Sequence, residues 1–163
     1  MAWVQRSGPI ADALVAWLNQ AGQDWNGQFS ATRTWAPDDD FTQLTNLTVE
    51  AVPIQITPEE LQTRGQKIQE YHTLLAFRQR YATPGNAANA AIPNAWVDGL
   101  MQTVESVANA LENLEIHYEN QPAGTHVYVV KQEIDLSLLP EALKGERSFL
   151  AFIEITWKEQ RPR

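Results

Sequence analysis

Between Pro9 and Trp35 the spacing of apolar residues changes from that of a helix to that of a strand, and this switch most narrows the fold. Ile10, Ala13, Leu14, Trp17 and Leu18 recur along one helical face, while Asp12, Asn19 and Gln20 fall elsewhere. Ser7 or Gly8 is placed to cap this helix, with Pro9 near the first turn, where a missing N–H costs nothing. Gly22 is the expected stop, and Asn26-Gly27 signals a turn. From Phe29 the period is two: Phe29, Ala31, Arg33 and Trp35 share one side, and Ser30, Thr32 and Thr34 the other. A chain that places an amphipathic helix directly beside a half-buried strand must pack one on the other.

The same reading carries on along the chain. Leu47, Val49 and Ala51 alternate with Thr48, Glu50 and Val52, which predicts a second strand ending near Pro53. Joined to the first by about ten residues, it is expected to pair with it antiparallel. Thr57-Pro58-Glu59-Glu60 has the form of a capping box and predicts a single helical turn before Gly65. From Gln66 to Tyr81, Tyr71, Thr73, Leu75 and Phe77 alternate with His72, Leu74, Ala76 and Arg78; a long strand is expected, although Leu74, Leu75 and Ala76 also suit a helix. Asn94 is the expected cap of a second helix running from Ala95 to about Leu114. Its stripe is Trp96, Val97, Leu100, Met101, Val104, Val107, Ala108 and Leu111. Short strands follow at Ile116 and Tyr118 and at His126 to Val130, around the Gln121-Pro122-Ala123-Gly124 turn. Leu139 to Gly145 reads as one short helix, with proline at its start and glycine at its end. In the closing strand RSFLAFIEITWKE both faces are apolar near the start, as expected of a central strand covered on both sides. The predicted fold is α+β, one domain over residues 1–163: an antiparallel or mixed sheet of four to five strands packed against two long helices.

Composition bounds the function. A domain of this length buries roughly 70% of the surface its unfolded chain exposes, so it needs no covalent staple. It has no cysteine, hence no disulfide, thiolate nucleophile or Cys-based zinc site. No signal peptide and no 18-residue apolar run is legible, so the chain is expected to be soluble and intracellular when made, without membrane contact. Twenty acids against 12 bases give a net charge of −8, with the bases dispersed, which argues against stable duplex binding. An acidic surface beside nucleic acid repels it and leaves it free to slide. Six tryptophans are many for this length and suit subunit contacts.

No catalytic constellation stands out. His72, His117 and His126 lack a metal-ligand spacing; His117 and Glu119 would share a face of a short strand, which reads best as a solvated edge. Asp38-Asp39-Asp40 lacks the alternation, glycine and distal glutamate of a calcium loop. Phosphate-cradling glycine loops and GxSxG elbows are absent, and no pair of carboxylates is singled out. The chain is expected to be no enzyme and to need no cofactor or metal.

The helix IADALVAWLN, the strand and acidic loop FSATRTWAPDDDFTQL, and the strand LTVEAVP together resemble the small tail terminator (tail-completion) proteins of long-tailed bacteriophages. Phe29, Ala31, Arg33, Trp35, Pro37, Leu44, Leu47, Val49, Val52 and Pro53 stand in that pattern. The helix WVDGLMQTVESVANAL and the closing strand RSFLAFIEITWKE are similar to the central helix and last strand of such proteins. The resemblance implies a virion structural subunit that forms a ring, usually of six, on the end of the tail tube. The ring ends tube polymerisation and joins the tail to the head connector. Other head–tail adaptor, stopper and neck proteins are similarly small and acidic, and a small-molecule binder or a hydrolase is the alternative from another class. The implied partners are further copies of the chain, the tail tube protein and the head-proximal connector or stopper, with the tail sheath a further candidate and DNA only passing through the lumen. The implied location is the head-proximal end of the virion tail, reached from the host cytoplasm. A head-to-tail ring needs two different complementary patches on each subunit. The candidates are Asp38, Asp39 and Asp40 meeting a neighbour's Arg78 or Arg80, and the edge strand around Val127 and Val129.

Overall fold

The computed structural model describes residues 6–36, 46–63, 66–82 and 91–162, and for 55–63, 66 and 67 only the course of the backbone. In chain order the elements are α1 (Ser7–Leu18), β1 (Ala31–Arg33), β2 (Thr48–Thr63), β3 (Gln66–Arg80), α2 (Asn94–Ala110), β4 (Glu115–Ile116), β5 (His126–Asp135), α3 (Leu139–Glu141) with a π-helical turn over Ala142–Glu146, and β6 (Ser148–Pro162). The fold is α+β, as expected, but the described residues form a mixed, curled sheet of six strands, in the order β1-β2-β3-β6-β5-β4.

Helix α1 buries Ile10, Ala11, Leu14 and Leu18 against the sheet. Ser7 lies inside the helix rather than capping it; Arg6 holds the cap position without a side-chain cap bond. The orphan carbonyls at the other end are taken by side chains of the following turn. The Trp25 indole N–H donates to Leu18 C=O at 2.9 Å, and the Gln23 amide donates to Trp17 C=O at 2.8 Å. Trp25 stacks on Phe29, and Phe29 meets Phe77 of β3 edge-on, so aromatic contacts tie the turn to the sheet.

Strands β1 and β2 pair in parallel, Ala31 beside Val49 and Arg33 beside Ala51, which corrects the antiparallel expectation. The chain over 34–47 is long enough to return to the start of the sheet before β2 begins, as parallel pairing requires. Nor does β2 stop at Pro53. It continues through the expected capping box, with irregularities in its pairing at Pro53/Gln55 and Thr57/Leu61. Each accompanies a proline, and a strand tolerates the lost N–H at a bulge or on an unpaired side.

The β3 strand spans Gln66–Arg80, as its alternation predicts, and pairs with β6 in unbroken register from Gln66↔Pro162 to Arg80↔Ser148. Tyr71, Thr73, Leu75 and Phe77 lie opposite Trp157, Ile155, Ile153 and Ala151, forming the buried face under the helices. Trp157 donates its indole N–H to Thr73 Oγ1 at 3.1 Å, so the largest core side chain is also hydrogen-bonded. Helix α2 adds Thr103, Val104, Val107 and Ala108, and Leu111 just beyond its end. It begins at Asn94 itself and ends at Ala110, short of Leu114, with Asn113 in the left-handed region. On the other face of the sheet Leu150 and Phe152 of β6 are only half-buried, so the double coverage expected of the closing strand is partial.

Candidate functional site

The residues singled out in the sequence fall in different surroundings. Asp38, Asp39 and Asp40 lie outside the described residues. Arg78 is 2% exposed on the open face of the sheet, and its guanidinium donates to Glu50 Oε1 at 2.7 Å across the β2–β3 pair. It is a buried internal partner, so the expected contact between a neighbour's aspartates and Arg78 has no accessible group at that position. Arg80, two residues on at the end of β3, is exposed. Val127 and Val129 are also internal: at 0% and 2% exposure their side chains pack in the core. The backbone there is already covered, since Val127 and Tyr128 pair with β4 and the Val129 N–H donates to Leu114 C=O. The open part of β5 begins after Val129, at a pairing irregularity that sets Val130 outside the register. From Lys131 to Asp135 no described strand pairs with its outer side.

Large apolar side chains are exposed at both edges of the sheet. Trp35, just past β1, is 57% exposed; at the far edge are Val130 at 42%, Ile134 and Leu136 at 38%, and Leu138 at 46%. A single exposed apolar residue is ordinary; here four occur along one edge strand and the turn that follows it. The sequence reading ended this strand at Val130, before the polar residues Lys131, Gln132 and Glu133. The two-residue spacing of Ile134, Leu136 and Leu138 is the signal that could have extended it.

The two edges differ in their backbone. The Asn19 side chain, at the end of α1, accepts from the Ala31 N–H at 2.8 Å and donates to the Ala31 C=O at 3.0 Å. One amide thus completes both hydrogen bonds of Ala31, as a neighbouring strand would, and blunts the β1 edge. Nothing comparable covers Lys131–Asp135 among the described residues.

The charged clusters are as follows. On the open face His72 Nε2 lies 2.8 Å from Glu70 Oε1, and His72 Nδ1 lies 3.4 Å from the Thr156 hydroxyl. Hydroxyl, imidazole and carboxylate stand in the order of a nucleophile, base and orienter, in a groove of 410 Å³ that Lys131, Glu133 and Lys158 also line. What the site lacks is a converging pair of free backbone N–H groups for an oxyanion, because the flanking backbone of β3 and β6 is paired in the ladder. Strand β4 covers only Glu115–Ile116, so His117 and Glu119 do not share a strand face; His126 instead meets Glu115 at 2.8 Å. Among the described residues no group of three or more His, Asp or Glu is placed to hold a metal ion. A cleft of 820 Å³ between α2 and the Gly27–Ser30 turn presents amides and hydroxyls, among them Gln28, Asn46 and Thr103, with no titratable group among the described residues that line it.

At the opposite end of the sheet Glu159 is fully buried on the core face. It accepts from Arg6, from Arg161 at 2.7 Å and from the Tyr118 hydroxyl at 3.3 Å. Burial first, and the charge of Glu159 second, push the Tyr71 phenol from 10.0 up to about 12 and raise that of Tyr118. This cluster fastens the start of α1 to the end of β6.

No family model and no curated protein matches the chain.

Proposed function

We propose that the protein is a structural ring subunit of a long-tailed bacteriophage, a tail terminator that closes the end of the tail tube and receives the head connector. The observation that carries this reading is the pair of unlike apolar sites on opposite edges of one sheet. Trp35 stands beside β1, and Ile134, Leu136 and Leu138 stand along and after β5. Head-to-tail closure needs two different patches on each subunit, and exposed apolar side chains at each edge of the sheet support that reading. The likeness of Phe29 to Pro53 to the phage proteins supports the same reading, because Trp35 belongs to that pattern. The net charge of −8 suits a ring through which DNA slides without being held. Binding, not turnover, is then the work of the chain.

Ring assembly on tail tubes tests it. Trp35→Ser removes one patch and leaves the core untouched. The variant is expected to keep its circular dichroism spectrum and to lose the ability to cap tube ends. Capping at the wild-type level by Trp35→Ser would exclude this pair of patches.

A further inference from the structure

The cleft between α2 and the Gly27–Ser30 turn is polar, yet uncharged among the described residues that line it. We infer that it binds a short neutral saccharide, seated on Phe29, Leu47 and Leu100 and held at its hydroxyls by side-chain amides and hydroxyls. This goes beyond the ring reading and does not depend on it.

The lining selects the class of ligand. At 820 Å³ the cleft falls within the roughly 300–1,000 Å³ of small-molecule sites. A smaller cleft of 160 Å³ adjoins it and shares Gln28, Gly99 and Thr103. Gln28 and Asn46 bring amides to the larger cleft, and Ser30, Thr48 and Thr103 bring hydroxyls. Amides and hydroxyls both donate and accept, so they suit a ligand whose groups also do both, as the hydroxyls of a sugar do. Phe29, Leu47 and Leu100 give the C–H face of a sugar an apolar surface to lie on.

Other classes fit worse. A phosphate or carboxylate would find no cation among the described lining residues, and the adjoining cleft adds the carboxylate of Asp24. A flat base is held by stacking on aromatic rings. Phe29 is the one ring among the described lining residues of the larger cleft, and Trp25 already stacks on it, 6.5 Å between centroids and 6° between planes. An extended peptide needs open backbone groups beside it. Next to Ser30, the N–H and C=O of Ala31 are both taken by Asn19.

Gly99 is the second observation. A glycine inside a helix costs stability relative to alanine. Gly99 is exposed in α2, and a methyl group at that position would meet no atom within 4 Å. No neighbour within the described chain therefore requires the missing side chain. Gly99 lines both clefts, so a large side chain there would fill the space that they share. One turn on, the buried Thr103 hydroxyl donates to Gln28 Oε1. That bond ties α2 to the turn and leaves the Gln28 amide N–H groups for a ligand.

The test is an NMR titration of the isotope-labelled protein with maltotriose, cellotriose and chitotriose, each to about 10 mM. Adenosine and a blocked trialanine peptide represent the two competing classes. At least one of the sugars is expected to bind with a dissociation constant on the order of 1 mM or below, moving the amide signals of Gly27, Gly99 and Thr103. Gly99→Trp fills the shared space and is expected to weaken that sugar about tenfold or more, with its circular dichroism spectrum unchanged. Gln28→Met keeps the length of the side chain, removes the amide and is expected to act in the same direction. Three sugars that leave those signals in place, stronger shifts there with adenosine or the peptide, or sugar binding indifferent to both variants would overturn the assignment. None of these results bears on the capping of tail tubes.

Discussion

Glu159 shows how much one side chain can hold in place. Its carboxylate is buried and receives Arg6 from the start of α1, Arg161 from its own strand and Tyr118 from the loop before β5. In Glu159→Gln two guanidinium groups face a neutral amide. Removing one partner of a buried pair costs about 3 kcal/mol, to be seen as a lower urea midpoint near neutral pH. The same site sets the alkaline limit. Tyr71 is raised from 10.0 to about 12, so between those values the unfolded chain gives up its proton while the folded chain keeps it. Stability is therefore intact below about pH 10 and falls as pH rises towards about 12, by on the order of 2–3 kcal/mol. Tyr118, raised by the same two leading causes, acts in the same direction. With the second cause removed, Glu159→Gln is expected to show a shallower decline above about pH 10; an equally steep decline would assign the whole effect to burial. None of this was legible beforehand. Glu159 sits among Lys158, Gln160 and Arg161 in the sequence, where a charged tail reads as solvated, and only the register with β3 and β5 turns it inward.

Elements were legible where their periodicity was long. The stripes of α1 and α2 and the alternation of β3 and β6 each identify an element and its buried face, and the structure has all four. The losses are local signals outweighed by pairing. Thr57-Pro58-Glu59-Glu60 favours a helical turn on its own, yet β2 runs through it, paired with β3 at Thr57 before the irregularity and at Leu61 after it. The direction of β1 could not be read, because the length of a connection permits a crossover without requiring one. Arg78, Val127 and Val129 were placed on the right strands, but strand position alone does not say which face is covered. Asn19 was read only as a polar position off the apolar face of α1, and its role at the β1 edge depends on a partner twelve residues away. Asn19→Ala is expected to cost about 1–2 kcal/mol, since it leaves the Ala31 N–H and C=O without their partner. Thermal unfolding checks the loss, and an unchanged midpoint would mean that water replaces the amide at no cost.

At the scale of the whole molecule, the helices cover one face of the sheet and leave its edges to do the contacting. Strand β1 is blunted at Ala31 and followed by exposed Trp35, and β5 is uncovered from Lys131 to Asp135 among the described residues. That asymmetry is what the proposed ring would use. The central claim is that the chain works by closing a ring, and electron microscopy of the purified protein incubated with tail tubes tests it most directly. The account predicts annular caps of uniform diameter on tube ends, with tubes that no longer lengthen when tube protein is added. Bare tube ends that keep growing in the presence of excess protein would contradict it.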